Sequence, residues 1–138
     1  MSEDRHKAVP PRLGRYQIVR LVGEGSFGSV YLARDGDLDR YVAIKVPTTR
    51  ALAMPGQLET LLAEARLAAS LRHPAIVGVY DVGRDGDGTV FVVLEYVEGS
   101  TLSDLLRHGR VEVVRLAGLI ASIADAVHHA HRDRKSVV

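Results

Sequence analysis

Three short stretches of the 138-residue sequence contain residues whose types and spacing could do chemistry. The first is Gly23-Glu24-Gly25-Ser26-Phe27-Gly28, where glycines would let backbone N–H groups approach phosphate oxygens closely. The second is Val42-Ala43-Ile44-Lys45, which puts one lysine inside an apolar run. The third is the ending His131-Arg132-Asp133-Arg134-Lys135, in which Asp133 could act as a general base.

The glycine-rich stretch lies between two predicted strands, residues 16–22 and 29–34, and therefore predicts the turn of a β-hairpin. A dinucleotide-binding fold would need a helix after the glycines. A Walker phosphate loop would need lysine followed by serine or threonine, and this stretch has neither pattern. The residues alone leave two interpretations open, an ordinary hairpin turn or a turn that binds phosphate.

Lys45 lies in a third predicted strand. Burying its ammonium group there would carry a desolvation penalty on the order of several kcal/mol unless the charge has a partner. The helix predicted next, over residues 57–71, places Glu64 on the same face as Leu61 and Ala65. We expect that face to meet the sheet and Glu64 to pair with Lys45. The alternative is that Lys45 extends its ammonium group to solvent and Glu64 lies at the helix flank.

The whole pattern predicts an α+β fold, in which a five-stranded antiparallel sheet with one helix is followed by two more helices. The strands are expected at residues 16–22, 29–34, 41–46, 76–82 and 89–96, and the helices at residues 57–71, 102–107 and 112–131. Residues 1–14 predict a flexible segment. Thr101 and Asp104 predict a capping box at the second helix. The last helix has an apolar stripe that, if exposed, favours self-association through residues 112–131.

Four motifs in order resemble the N-terminal lobe of a eukaryotic-type protein kinase, in the style of bacterial Ser/Thr kinases. The motifs are GEGSFGSV (23–30), VAIK (42–45), Glu64 within EARLAASLRHPAIV (64–77), and VVLEYVEGSTLSDLL (92–106). The resemblance runs from about residue 15 to the end of the chain. It implies a kinase N-terminal lobe and hinge over residues 15–97, then the start of an incomplete C-terminal lobe over residues 98–138.

The resemblance also implies an ATP site. Its residues are Val22, Gly23, Glu24, Gly25, Ser26, Phe27, Gly28, Ser29, Val30, Ala43, Lys45, Glu64, Leu94, Glu95 and Val97. The glycines match the loop over the phosphates, Lys45 the lysine that holds the α and β phosphates, and Glu64 the glutamate that orients it. The apolar ceiling over adenine is implied to be Val22, Val30 and Ala43.

At the back of that implied pocket, Leu94 matches the gatekeeper position. Glu95 and Val97 match the hinge, where backbone carbonyl and amide groups bind adenine, so Glu95 is implied to act through its backbone rather than its carboxylate. Thr101 lies near the position that contacts ribose in the family.

The ending departs from the family's catalytic loop, which reads H-R-D-x-K-x-x-N. Val138 stands at the asparagine position. The spacing instead predicts that the helix ends at His131, that residues 132–136 form a turn, and that residues 137–138 are the apolar pair before the true loop. We therefore predict that Asp133 is not the catalytic base, and that the chain stops before the catalytic loop. No catalytic residue or metal ligand is then expected in this chain, although the family uses Mg²⁺ with ATP.

Two functions follow as expectations. The first is the ATP-binding lobe of a serine/threonine protein kinase, with protein substrates in the intact enzyme and no activity for this chain alone. The second is a truncated, non-catalytic fragment that binds nucleotide weakly or acts only through a protein partner. A metal site at His128, His129 and His131 is disfavoured, because no acidic or cysteine partner stands at a suitable spacing.

Composition bounds the partners and the compartment. A net charge of +1 gives no field that favours nucleic acid, and the lack of cysteine excludes disulfides. The charged start does not resemble a secretory leader, and no apolar run is expected to be long enough to cross a bilayer. We therefore expect a cytoplasmic protein without a membrane segment.

Overall fold

The computed structural model describes the backbone of residues 9–135 and the side chains of residues 9–133. Over this part of the chain the strands are β1 (Arg12–Leu13), β2 (Tyr16–Gly25), β3 (Gly28–Asp35), β4 (Arg40–Pro47), β5 (Val79–Arg84) and β6 (Val90–Glu95). The helices are α1 (Gln57–Ser70), α2 (Leu102–His108) and α3 (Val113–Lys135). The predicted α+β order is confirmed, with one strand more than expected.

The strands form one antiparallel sheet in the order β1-β2-β3-β4-β6-β5. The additional strand is β1, where Arg12 and Leu13 pair with Gln17 and Tyr16. Leu13 is buried in the core. Residues 12 and 13 therefore form a strand within the segment predicted to be flexible, because the Leu13 side chain fills a position in the core. Residues 1–8 lie outside the described part of the chain.

The two edges of the sheet, β1 and β5, are brought together by curling. The Gly14 N–H donates a hydrogen bond to Oδ1 of Asp85, 3.2 Å away, just beyond the end of β5. The Phe91 ring fills the space between them, and a Cβ added to Gly83 would lie 2.2 Å from that ring. Gly83 is therefore the position that lets an aromatic side chain cross the inside of the curl, where Phe91 is 2% exposed.

The two faces of the sheet have different roles. The inner face carries the main core cluster of Leu13, Tyr16, Tyr31, Ala33, Val42, Ile44, Phe91 and Val93. Val42 and Ile44 alternate with Ala43 and Lys45 along β4, so successive side chains of this strand point to opposite faces. This strand, which is apolar except at its ends and at Lys45, thus supplies the core with Val42 and Ile44 and the opposite face with Ala43 and Lys45.

The helices are only lightly buried. Ala65 is the one buried residue of α1, and the described part of α2 contains none. The capping box predicted for α2 is confirmed, with the Asp104 N–H donating to Oγ1 of Thr101 at 3.0 Å and the Thr101 N–H donating to Asp104 at 3.3 Å.

Helix α3 continues through Lys135 and is therefore longer than expected. The predicted turn over residues 132–136 is therefore wrong as far as residue 135, and residues 136–138 lie outside the described part. No glycine or proline interrupts residues 132–135, and arginine and lysine are good helix formers. Most of its large apolar side chains are exposed, among them Val113, Val114, Ile120, Ile123 and Val127.

By length and composition alone, the part of α3 over Val113–Asp133 could cross a membrane. The expectation that no apolar run is long enough is not met on this measure. Core helices of soluble proteins pass the same test, so it is weak support for a membrane span.

A buried carboxylate organises the turn between β3 and β4. Asp35 is 0% exposed and accepts hydrogen bonds from the N–H groups of Asp37 and Leu38 and from the Arg15 guanidinium, 3.2 Å away. Burial alone would raise the pKa of Asp35. The two backbone hydrogen bonds and the charge of Arg15 outweigh that effect and hold the pKa below its ordinary value of 3.8.

We predict that Asp35→Asn lowers the free energy of unfolding at pH 7 by about 1 kcal/mol or more, since the amide oxygen keeps an acceptor but loses the charge. Because the folded pKa of Asp35 is depressed, its stabilisation is complete well above pH 3.8 and is lost as the pH falls through the lower folded value. Urea unfolding between pH 7 and pH 2 should therefore show the difference between the two proteins shrinking on acidification.

The matched control is Asp37→Asn, because this exposed carboxylate lies 3.7 Å from the same guanidinium. An exposed pair contributes at most about 1 kcal/mol, so this change should have a small effect at every pH. Equal losses from both variants would contradict the role assigned to the buried carboxylate.

Candidate functional site

The glycine-rich stretch forms the tight end of the β2–β3 hairpin, as predicted. Gly25 pairs with Gly28, and the Phe27 side chain between them is 74% exposed. Gly28 has φ 145°, and a Cβ there would lie 2.0 Å from the Val46 carbonyl oxygen. The Thr48 N–H also donates to the Phe27 carbonyl at 3.1 Å, a contact that sequence reasoning missed. The close packing of Gly28 and this hydrogen bond therefore fix the turn against the end of β4.

The other two glycines of the turn border open space. A Cβ added to Gly23 or Gly25 would meet no heavy atom within 4 Å. On the neighbouring backbone, the Ser29 hydroxyl donates to Glu24 at 3.5 Å, so these two polar side chains contact each other. The turn thus has one glycine fixed by packing and two glycines beside a space that a ligand could enter.

Strand register brings the turn and the lysine to one face of the sheet. Gly23 pairs with Val30, Val30 with Lys45, and Lys45 with Val92. In an antiparallel sheet directly opposed residues share a face, so these residues form one row across four strands. A second row on the same face includes Ala43 and Leu94. The structure therefore brings Val30, Ala43 and Leu94, which are implied at adenine, to the same face as Gly23 and Lys45, which are implied at the phosphates.

Lys45 and Glu64 line one cavity of about 340 Å³ between the tip of the glycine turn, β4 and α1. Its other lining residues are Phe27, Pro47, Ala51, Leu52, Gln57, Thr60 and Leu61. Among the side chains that the structure describes, no ion pair joins Lys45 to Glu64 within 4.0 Å.

The expected pair is therefore not formed, and the expectation of two buried charges is wrong for Glu64. Glu64 is exposed, whereas Lys45 is half-buried. The helical periodicity correctly placed Ala65 toward the sheet, but Glu64 is one residue away and faces the cavity.

The segment after β6 is the one that the resemblance implies to be the hinge. Val97 in this segment is 63% exposed, and Val22 in β2 is 46% exposed. The Glu95 N–H donates to the Gly78 carbonyl at 2.8 Å, and the Glu95 carboxylate accepts from the Gly78 N–H at 3.1 Å. The Glu95 carboxylate, which was expected to have no role, therefore holds the residue before β5 beside the implied hinge.

Asp133 lies within α3, with its carboxylate 3.8 Å from Nε2 of His129. It lines a different cavity, of about 370 Å³, between the C-terminal part of α1 and α3. Glu64 borders both cavities, but Lys45 borders only the first of these two. Asp133 therefore lies apart from the lysine and the glycine turn, in a helix rather than in the turn that was expected.

A nucleoside triphosphate would bring both phosphate groups and a metal ion to this site, and the described residues suit the two differently. The open space at two glycines and the half-buried ammonium group of Lys45 suit phosphate oxygens. Within the described residues, no group of three or more histidine, aspartate or glutamate side chains could hold a metal ion. The described residues thus include groups that suit a phosphate-bearing ligand, and they contain no cluster of three metal-ligating side chains.

Comparison with known proteins agrees with this geometry. Residues 16–138 match the protein kinase domain model. The chain is 38% identical over 122 residues to the serine/threonine-protein kinase PrkC of Bacillus subtilis, covering 88% of this chain and 19% of that protein. It is also 38% identical over 133 residues to PknA of Mycobacterium tuberculosis, covering 88% of this chain and 31% of that kinase.

Solved structures give the same result for the fold. The PknI kinase domain of Mycobacterium tuberculosis superposes with a TM-score of 0.76 at 26% identity, covering 87% of this chain and 49% of that one. A second structure of that kinase domain gives a TM-score of 0.75 and covers 88% and 50%. The chain therefore spans about half of these solved kinase domains and less than a third of the two curated relatives.

Proposed function

Because the chain belongs to the protein kinase domain family, we propose that it is the ATP-binding part of a serine/threonine kinase whose substrates are proteins. The family match over residues 16–138 and the relatives named as serine/threonine-protein kinases support this assignment. The observation that carries ATP binding is the position of Lys45, half-buried in a cavity that also adjoins the tip of the glycine turn.

An ammonium group in such a place needs a negative charge. Removing it from water is unfavourable, and the described residues place no carboxylate within ion-pair distance of it. A phosphate would supply that charge and could also accept hydrogen bonds from the amides beside Gly23 and Gly25. One ligand thus accounts for both the lysine and the two unobstructed glycines.

The adenine would lie on the same face of the sheet. In this proposal Val22, Val30 and Ala43 cover the ring, and the backbone near Glu95 and Val97 binds its edge. The Glu95 N–H already donates to Gly78, so the proposed partners of the adenine edge are the Glu95 carbonyl and the Val97 backbone groups. The exposed state of Val22 and Val97 leaves this part of the face accessible.

We propose further that this chain does not transfer phosphate by itself. Phosphoryl transfer depends on positioning and on charge stabilisation, usually with bound metal. The described residues contain no cluster of three side chains that could hold a metal ion, and Asp133 lines a different cavity from Lys45. The second candidate, a non-catalytic protein that binds nucleotide weakly or acts through a partner, is favoured by this same observation.

The exposed apolar side chains of α3 are the proposed surface for self-association. Light scattering over a range of concentrations should show a rising average mass, and Ile120→Lys with Ile123→Lys should reduce the rise because both side chains are exposed on this helix. Monomers at high concentration of the unmodified protein would contradict this part of the proposal.

A cytoplasmic location of the protein stays a prediction.

ATP should raise the unfolding temperature of the 138-residue protein, because a ligand bound only to the folded state stabilises it by about 2.7 kcal/mol at 100 times its Kd. We expect Lys45→Met to lose most of this shift. The matched control Arg66→Met removes an exposed cation from α1 and should keep it. No shift with saturating ATP, or an undiminished shift in Lys45→Met, would contradict the proposed site.

Radiolabelled ATP should give no phosphate transfer to a generic protein substrate with this chain alone. The same assay with Asp133→Asn separates the possible outcomes, because this change removes the carboxylate's basicity and keeps its size. Transfer that disappears in Asp133→Asn would show that Asp133 is catalytic after all. Transfer that survives the change would show that the chain is active by another route.

A further inference from the structure

His73 links the loop after α1 to helix α3. Its Nδ1 accepts a hydrogen bond from the Ala75 N–H at 3.0 Å, and its Nε2 lies 2.9 Å from Oδ2 of Asp125 in α3. The imidazole side chain is only 15% exposed. In the sequence, His73 marked only the end of a helix before a proline, so nothing in the local pattern indicated this contact.

The two hydrogen bonds fix the protonation of the ring. A backbone N–H can donate to Nδ1 only if that nitrogen carries no proton. The proton of the imidazole must then be on Nε2, where it is donated to the Asp125 carboxylate. The contact is therefore a hydrogen bond from a neutral histidine with one tautomer, rather than an ion pair.

Helix α3 presents a column of titratable groups to this loop. Asp125, His129 and Asp133 are spaced four residues apart, which places them on one side of the helix. The His129 ring packs against the His73 ring with 5.2 Å between centroids. The His129 Nε2 is buried and lies 3.8 Å from the Asp133 carboxylate, which is longer than a hydrogen bond. The contact between His73 and Asp125 is therefore the one in this column that has hydrogen-bond geometry.

Apolar packing does little to fix the orientation of α3. Within its described residues, Ala126 is the buried hydrophobic side chain, and a cavity of about 370 Å³ separates its C-terminal part from α1. A helix held by so few close contacts can pivot. A hydrogen bond with fixed donor and acceptor therefore has more influence here than it would in a packed core.

We propose that His73 and Asp125 form a latch that sets the orientation of α3 against the sheet and α1. His73 is a positioning residue in this proposal, since the contacts that its ring makes are with Ala75, Asp125 and His129. The proposal is independent of ATP binding, and it applies to the chain without ligand.

The test is a distance measurement between spin labels on the full chain, without nucleotide. The sequence has no cysteine, so Arg66→Cys on α1 and Arg115→Cys on α3 would give the only two labelling sites. Both positions are exposed. Arg115 lies about 15 Å along the helix from Asp125, at 1.5 Å per residue, so a pivot about the latch displaces its label.

In this labelled background Asp125→Leu should shift or broaden the distance distribution. Asp125→Asn should keep the original distribution, because its amide oxygen can still accept from Nε2–H. His128→Gln, an exposed change on the same helix, should also keep it. An unchanged distribution in Asp125→Leu would overturn the latch. Equal disruption by leucine and asparagine would overturn the neutral hydrogen bond.

A measurement on the unmodified chain avoids any effect of the variants on folding. Long-range proton–nitrogen NMR spectra should show His73 with a protonated Nε2 and an unprotonated Nδ1 near pH 7. The reverse tautomer, or equal averaging of the two, would overturn the proposed geometry. Neither experiment involves ATP, so failure of the latch and failure of the nucleotide site would be told apart.

Discussion

The pairing of Val30 with Lys45 across β3 and β4 is the constraint on which the candidate site depends. Side chains alternate along a strand, so this register sends Ile44 into the core and Lys45 to the opposite face, below the glycine turn. A slip of one residue would bring the lysine into the core and the isoleucine out of it. The fully buried Ile44 and Val42 therefore secure the position of the ammonium group, which no carboxylate in the described residues holds directly.

The two halves of the described chain differ in how they are held together. The sheet has a closed, aromatic-rich core and a buried aspartate whose hydrogen bonds fix a turn. The helices after β6 have exposed apolar faces and depend on capping and on single polar contacts such as that between His73 and Asp125. The candidate nucleotide site lies on the well-packed part, so its geometry does not require α3 to be fixed.

Local patterns predicted the features that depend on local chemistry. The glycine turn, the alternation around Lys45 and the capping box of Thr101 all follow from residue types at short spacing. The missing Lys45–Glu64 pair could not be predicted, because helical periodicity gives the side of α1 that faces the sheet but not the distance between them. Strand β1 could not be predicted either, because its proline and glycine neighbours are typical of a loop. Only the folded sheet shows that Leu13 is buried in the core. The end of α3 does not follow the family pattern, because residues 132–135 contain no helix breaker and continue the helix.

We propose that one ligand lies under the glycine turn, against Lys45 and along the implied hinge. Backbone amide NMR of the 138-residue chain during titration with ATP, and separately with inorganic triphosphate, tests it most directly. We predict saturable shifts at Gly23, Gly25 and Lys45 with both ligands, and at Val97 with ATP alone, since only ATP carries adenine. No saturable shift at the glycines and Lys45, or shifts confined to α2 and α3, would contradict the account.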